Sequence, residues 1–344
     1  MRATVLTDAT LAKQAGRFVW LSIDTEDGKN AAFLDRYPWE AVPMFEVLDA
    51  KTGNVAYSWI GAVDAPELVR RFDEAEGAFR RTDGAAAAIP SSPDAIVLAL
   101  SLAGKNDECA RRALELLPAL PRGAVKANVA STGLDCALAT AEDAPWRAPA
   151  LATLESIVRE AVGYDGLLDD DRSALHSALV DARNRQKDEA GAKAAAATWL
   201  DWLDAQARTA ASVEARAALD GYRVSAALSA GTPERMVAAI QRSERELPSD
   251  YNPPARLALL FREMGRYDEA IAASDRALSK VYGPRKLTLL DARATILEKK
   301  GDPAAAKATL EQALAYASTL AKSQRPKGTI ARIEKHLGQV GRAD

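Results

Sequence analysis

The side chains best suited to chemistry are few in this sequence. The two cysteines, Cys109 and Cys136, lie far apart and form no CxxC pair, and the two histidines, His176 and His336, have no Cys, Asp or Glu at metal-ligand spacing. A zinc site and a histidine-based triad are therefore not expected, and neither is a cofactor. The cysteines are predicted to be small buried thiols in a reduced compartment rather than a disulfide framework.

Two further clusters have both a chemical and a structural interpretation. Asp169, Asp170 and Asp171 are predicted to begin a helix, where the helix dipole favours negative charge, and a metal site is the alternative. Trp199 and Trp202 are three residues apart on a predicted helix, a spacing typical of a core pair. A ligand-facing aromatic patch is the alternative for the two tryptophans.

Charge and hydropathy exclude several classes of function. The 344 residues carry a formal net charge of −3, and no block of lysine and arginine stands without acidic neighbours. Binding to nucleic acid or to an anionic membrane is therefore not expected. No apolar run reaches the roughly 18 residues needed to span a bilayer. Residues 1–16 lack the apolar core of a secretory signal, so the sequence as written predicts a cytoplasmic protein.

The N-terminal part mixes strands and helices. Strands are predicted at 17–24, 44–48 and 55–60, and the Gly53 turn predicts that the last two form a hairpin. The helix between the first two strands predicts that they are parallel. Asp64 is predicted to cap the helix that follows the hairpin. The predicted organisation is an α/β domain at 1–81, a linker at 82–93, degenerate helical repeats at 94–210 and a clearer helical array at 211–338.

The array shows a repeat in its glycines. Gly231, Gly265 and Gly301 each separate two apolar helices, with spacings of 34 and 36 residues. The segment "PARLALLFREMGRYDEAIAASDRAL" resembles a tetratricopeptide repeat, and "DARATILEKKGDPAAAKATLEQAL" follows the same pattern. Such arrays bind a protein or peptide partner on a concave surface lined by the first helix of each pair. The residues predicted to face that surface, with a solvated helix face as the alternative, are Asn252, Arg256, Leu259, Arg262, Asp291, Thr295 and Lys299.

The proline before the hairpin points to a second family. The segments "FVWLSIDTED", "YPWEAVPMFEVLD", "DAKTGNV" and "GAVDAPEL" together resemble the thioredoxin superfamily. The resemblance implies an α/β thioredoxin-like fold in which the Val42–Pro43 bond is cis and both residues face a substrate segment. A trans proline that starts an edge strand is the alternative.

The family's redox motif is absent from the sequence. The resemblance places the family's first strand and its CxxC upstream of Met1, so either the chain is a truncated product or the domain has lost its redox function. We expect a non-catalytic, chaperone-like scaffold that joins an incomplete thioredoxin-like module to an all-α array and binds polypeptide. One alternative is a thiol-disulfide oxidoreductase, periplasmic or otherwise exported, whose CxxC is missing from this chain. A structural assembly subunit is the other.

Overall fold

The structure is a computed structural model of the chain, mostly helical with one small sheet. It describes residues 5–39, 42–61, 63–82 and 92–340. These residues form two compact units. The first unit takes 5–18 and 42–210, and the second takes 19–39 and 211–340. None of the helices in these ranges has a stretch long and apolar enough to cross a membrane.

Helices and strands follow one another with short connections. In chain order they are α1 (Ala31–Arg36), β1 (Met44–Leu48), β2 (Val55–Ile60), α2 (Ala65–Thr82), α3 (Pro93–Leu102), α4 (Asn106–Leu116), α5 (Ala124–Ala139), α6 (Arg147–Ala161), α7 (Asp169–Arg185), α8 (Glu189–Thr209), α9 (Val213–Ala230), α10 (Glu234–Glu246), α11 (Asn252–Glu263), α12 (Tyr267–Leu278), α13 (Arg285–Lys300), α14 (Pro303–Thr319) and α15 (Lys327–Gln339). Most of the predicted linker, residues 83–91, lies outside the described residues.

The predicted hairpin is confirmed. β1 and β2 pair antiparallel, with Met44 opposite Ile60. Gly53 has φ +71° in the turn, a conformation that glycine adopts without a steric cost, and its N–H donates to the carbonyl of Asp49 at 2.7 Å. The bond between Val42 and Pro43 just before β1 is cis, as predicted.

The helix that follows covers one face of the hairpin. The carboxylate of Asp64 accepts the Glu67 N–H at 2.8 Å, so the predicted N-cap is confirmed. Leu68 and Phe72 of α2 are buried in the same cluster as Tyr57 and Trp59 of β2. This cluster is the hydrophobic core of the hairpin and α2.

The strand predicted at residues 17–24 is wrong. These residues form no strand, and the described residues contain a sheet of β1 and β2 alone. Arg17 instead pairs with Asp73 and Glu76 of α2, whereas Val19 is 91% exposed. Residues 19–39 belong to the second unit, and Trp20 and Leu21 are 51% and 70% exposed, so this apolar run is not buried as a strand would be.

The prediction of two free thiols is also wrong. Cys109 of α4 and Cys136 of α5 form a disulfide, with their Cα atoms 6.1 Å apart. Both cysteines are buried, as predicted. The two helices approach closely because Gly133 has no side chain: a Cβ there would lie 2.5 Å from the Cβ of Ala113. This close approach brings together two sulfurs that lie far apart in the sequence.

Helical hairpins build most of the second unit, as the glycine spacing predicted. Gly231 and Gly301 end α9 and α13 in the left-handed conformation, with φ +74° and +90°, and Gly265 has φ +73° between α11 and α12. Four alanines of the repeat segments are fully buried between the paired helices. They are Ala270, Ala277, Ala306 and Ala313.

The disulfide is expected to stabilise the first unit. Because it closes a loop of 27 residues, the double substitution C109A/C136A should lower the free energy of unfolding by roughly 3 to 4 kcal/mol. Urea unfolding followed by tryptophan fluorescence measures this change. Wild-type protein in reductant keeps both sulfurs and is the control for lost packing. Identical unfolding of the wild type with and without reductant would contradict the expectation.

Candidate partner-binding surface

The first helix of each pair in the second unit packs against the first helix of the next. α9 contacts α11, α11 contacts α13, and α13 contacts α15, while α10, α12 and α14 alternate with them along the chain. We call the side formed by α9, α11, α13 and α15 the first-helix surface. All the array residues that the sequence predicted for partner binding belong to α11 and α13.

Arg256 lies largely inside this layer rather than on it. Its Nη1 donates to the carbonyl of Ala217 at 3.5 Å, and a Cβ on Gly221 would lie 3.2 Å from its Nη2. Burial lowers the pKa of the guanidinium, although the negative charges of Asp220 and Asp250 oppose this shift. The side chain therefore packs α11 against α9.

Asp220 is a buried charged residue for which the sequence predicted no role. It is fully buried, and its carboxylate accepts hydrogen bonds from Ser243 Oγ at 2.6 Å and Arg223 Nη1 at 3.1 Å. The bond from Ser243 links α10 to α9, whereas Arg223 lies on α9 itself. A signal was present in the sequence, because Asp220 shares the apolar face of its helix with Ala217 and Val224.

Arg262 and Lys299 form a small basic cluster around one carboxylate. Arg262 Nε lies 2.6 Å and Lys299 Nζ 3.6 Å from Glu263 Oε1, so the cluster joins α11 to α13. Burial raises the pKa of Glu263, but the two cations outweigh burial and the net pKa is lowered. Lys299 remains 45% exposed, and the cluster carries one net positive charge.

Asn252 and Asp291 have partners within the unit. Asn252 donates its backbone N–H and its side-chain Nδ2 to Asp250 Oδ1, each at 2.8 Å. Asp291 accepts from Arg332 Nε at 2.9 Å and lies 2.6 Å from a ring nitrogen of His336. Contacts from α15 therefore neutralise the Asp291 end of the surface.

His336 lies between two carboxylates of α13. Its Nδ1 is 2.6 Å from Asp291 Oδ1, and its Nε2 is 2.7 Å from Glu298 Oε2. A neutral imidazole has one N–H, so only the doubly protonated ring donates to both partners. Burial lowers the pKa of His336, but the hydrogen bonds to Asp291 and Glu298 outweigh burial and the net pKa is raised. No role for this histidine was predicted from the sequence.

Val42 and Pro43, predicted to contact a substrate, belong to the first unit. Val42 is 73% exposed, and the carbonyl of Pro43 accepts the N–H of Gly61 at 2.9 Å. This hydrogen bond extends the hairpin by one pair. Substrate contact by Val42 and Pro43 stays a prediction.

The remaining chemical candidates lie in the first unit. Trp199 is buried at 4% exposure, which supports the core interpretation, and the ring of His176 stacks on Trp199 and Trp202. Burial lowers the pKa of His176 to about 4, so this ring is neutral near pH 7. Asp169 begins α7, as predicted. Across the described ranges, His, Cys, Asp and Glu form no group of three or more suited to a metal ion.

The pKa of His336 predicts a pH dependence of stability. Because its folded pKa is raised above the ordinary 6.5, its contribution is fully present below 6.5 and is lost as the pH rises through the raised value. The free energy of unfolding should fall by about 1 kcal/mol more for the wild type than for His336→Gln between about pH 6 and pH 8. Urea unfolding of both proteins measures the difference. A difference that stays constant over this range would contradict the assignment.

Comparison with known families agrees with the repeat geometry. The tetratricopeptide repeat family matches residues 251–319, which run from just before α11 to the end of α14. No curated protein shows significant similarity to the chain. Residues 251–319 thus contain tetratricopeptide repeats, which indicates a protein-interaction scaffold.

Proposed function

We propose that the chain is a chaperone-like scaffold whose first-helix surface binds an extended polypeptide segment. The packing of α9, α11, α13 and α15 into one layer within a tetratricopeptide array supports this function most directly. Such layers bind polypeptide because one helix per repeat presents side chains at a regular spacing.

The predicted surface residues have two different roles in this proposal. Asn252, Arg262 and Lys299 contact the partner, since amide and cationic side chains donate hydrogen bonds to carbonyl and carboxylate oxygens. Arg256 and Asp291 position the helices, since Arg256 is largely buried against α9 and Asp291 is paired with α15. The net positive charge around Glu263 favours segments that carry acidic residues.

A charge reversal on the surface tests this proposal. R262E/K299E should weaken binding of client-derived acidic peptides by at least about tenfold. The substitution removes two hydrogen-bond donors, and the two new carboxylates repel the acidic peptide. R245E/K307E makes the same charge change at exposed positions of α10 and α14 and should leave binding unchanged. Fluorescence anisotropy with peptides from a heat-labile client measures the affinities. If both pairs of substitutions weakened peptide binding equally, the first-helix surface would not be the binding surface.

The chaperone-like activity has a separate test. Equimolar chain should reduce the light scattering of the same client during heating, and R262E/K299E should lose most of this effect. Thermal unfolding of the variant on its own checks that it remains folded. No change in client aggregation at equimolar chain would count against this activity.

We also propose that the hairpin and α2 form part of a thioredoxin-like module without redox activity. The order of β1, β2 and α2 and the shared core of β2 and α2 support this assignment. Both cysteines of the chain are joined and buried at 0% and 1% exposure, so neither offers a thiolate nucleophile. We therefore expect no insulin-disulfide reduction by the chain with dithiothreitol as reductant, and turnover above the uncatalysed rate would reject this assignment.

We propose further that the protein functions in an oxidising compartment. A disulfide persists where thiols are not kept reduced, so the bond between Cys109 and Cys136 supports a periplasmic or otherwise exported location. Acid quenching of cells followed by alkylation in denaturant tests the location. The protein should take up a thiol-reactive label only after reduction, and two labels without reduction would reject the proposal.

A further inference from the structure

An acidic segment near the start of the second unit contacts the residues around the beginning of α13. We call residues 24–31 the acidic strap. Tyr282 Oη donates to Asp24 Oδ2 at 2.5 Å, and the N–H of Arg285 donates to Glu26 Oε2 at 2.6 Å. Because Arg285 is the first residue of α13, its N–H is one of the helix donors that lack an intrahelical partner. Two carboxylates are thus each held by a specific donor.

The backbone of the acidic strap is held as well. Gln324, which is 5% exposed, donates its Nε2 to the carbonyl of Thr25 at 3.0 Å, and Ser323 Oγ donates to the carbonyl of Ala31 at 3.2 Å. Gly283 has φ +61°, and a Cβ there would lie 2.1 Å from the carbonyl oxygen of Glu26. Only glycine allows this approach, so the surface at Gly283 fits closely against the backbone of the acidic strap.

The acidic strap is itself a compact turn. Asp24 Oδ1 accepts the N–H of Glu26 at 2.9 Å, and the carbonyl of Asp24 accepts Asn30 Nδ2 at 2.9 Å. The feature recognised is therefore an Asp-x-Glu turn. Its contacts are polar and partly open to water, since Tyr282 is 55% exposed and Glu26 retains 24% exposure. Exposed polar contacts of this kind each contribute little stability.

We propose that Tyr282, Gly283, Arg285, Ser323 and Gln324 form a binding site for an acidic Asp-x-Glu turn of a partner protein, and that the acidic strap is its internal competitor. Because the acidic strap is on the same chain as the site, its effective concentration there is high. A partner therefore binds the wild type more weakly than it binds a variant whose site is open. This site goes beyond the proposed function. It uses none of the residues assigned there to the polypeptide.

A labelled peptide of residues 22–34, acetylated and amidated, tests the site on the full chain. D24N/E26Q removes the two bound charges from the acidic strap and should bind this peptide at least about tenfold more tightly than the wild type does. Fluorescence anisotropy measures both affinities. Equal affinities, or no binding to D24N/E26Q, would overturn the proposal.

Two controls separate this site from general charge attraction. A peptide carrying the same two substitutions should not bind D24N/E26Q. Adding Gly283→Ala to D24N/E26Q should abolish binding of the unmodified peptide, because the new Cβ would meet the carbonyl of its Glu26 residue. Retained binding in either control would overturn the assignment.

A measurement on the wild type covers the case in which D24N/E26Q fails to fold. Saturating peptide should accelerate hydrogen exchange at the amides of the acidic strap, because the peptide displaces it. Exchange at the amides of α9 and α11 should stay unchanged. Unaltered exchange across the acidic strap at saturating peptide would overturn the proposal.

Discussion

Paired helices in both units cross on small side chains, and the rest of the structure depends on this contact. Ala270, Ala277 and Ala306 are fully buried at crossings in the second unit, and Gly133 lets α5 approach α4 in the first. A small residue at a crossing lets two backbones approach until their remaining side chains interdigitate. The chain consequently builds its cores with only 6% aromatic residues.

Several polar groups that lie between the helices bond one another. Asp220 is paired with Ser243 and Arg223, and His336 is placed between two carboxylates. Removing one partner of such a group costs far more than the pair contributes, because a buried polar group is then left unpaired. These networks therefore align helices, whereas Asn252 and the two cations around Glu263 contact the partner in our proposal.

Two long-range connections supplement the helix packing, one in each unit. The disulfide joins α4 to α5 inside the first unit, where neither sulfur meets solvent. The acidic strap joins residues 258 positions apart through Asp24 and Tyr282 in the second unit. The disulfide is covalent and buried, whereas the contacts of the acidic strap are polar and partly exposed. This difference suits a permanent connection in the first case and an exchangeable one in the second.

Local patterns in the sequence determined the helical hairpins, the β1–β2 turn and the small residues at the crossings. Glycine spacing and apolar periodicity indicate where the chain turns and which positions are buried, irrespective of which helix or strand packs against them. They do not report which element becomes the neighbour. Tertiary structure decided three other features. Residues 17–24 form no strand, Cys109 pairs with Cys136, and carboxylates flank His336. Each depends on the distance between elements that are remote in sequence, and only the packed helices determine that distance.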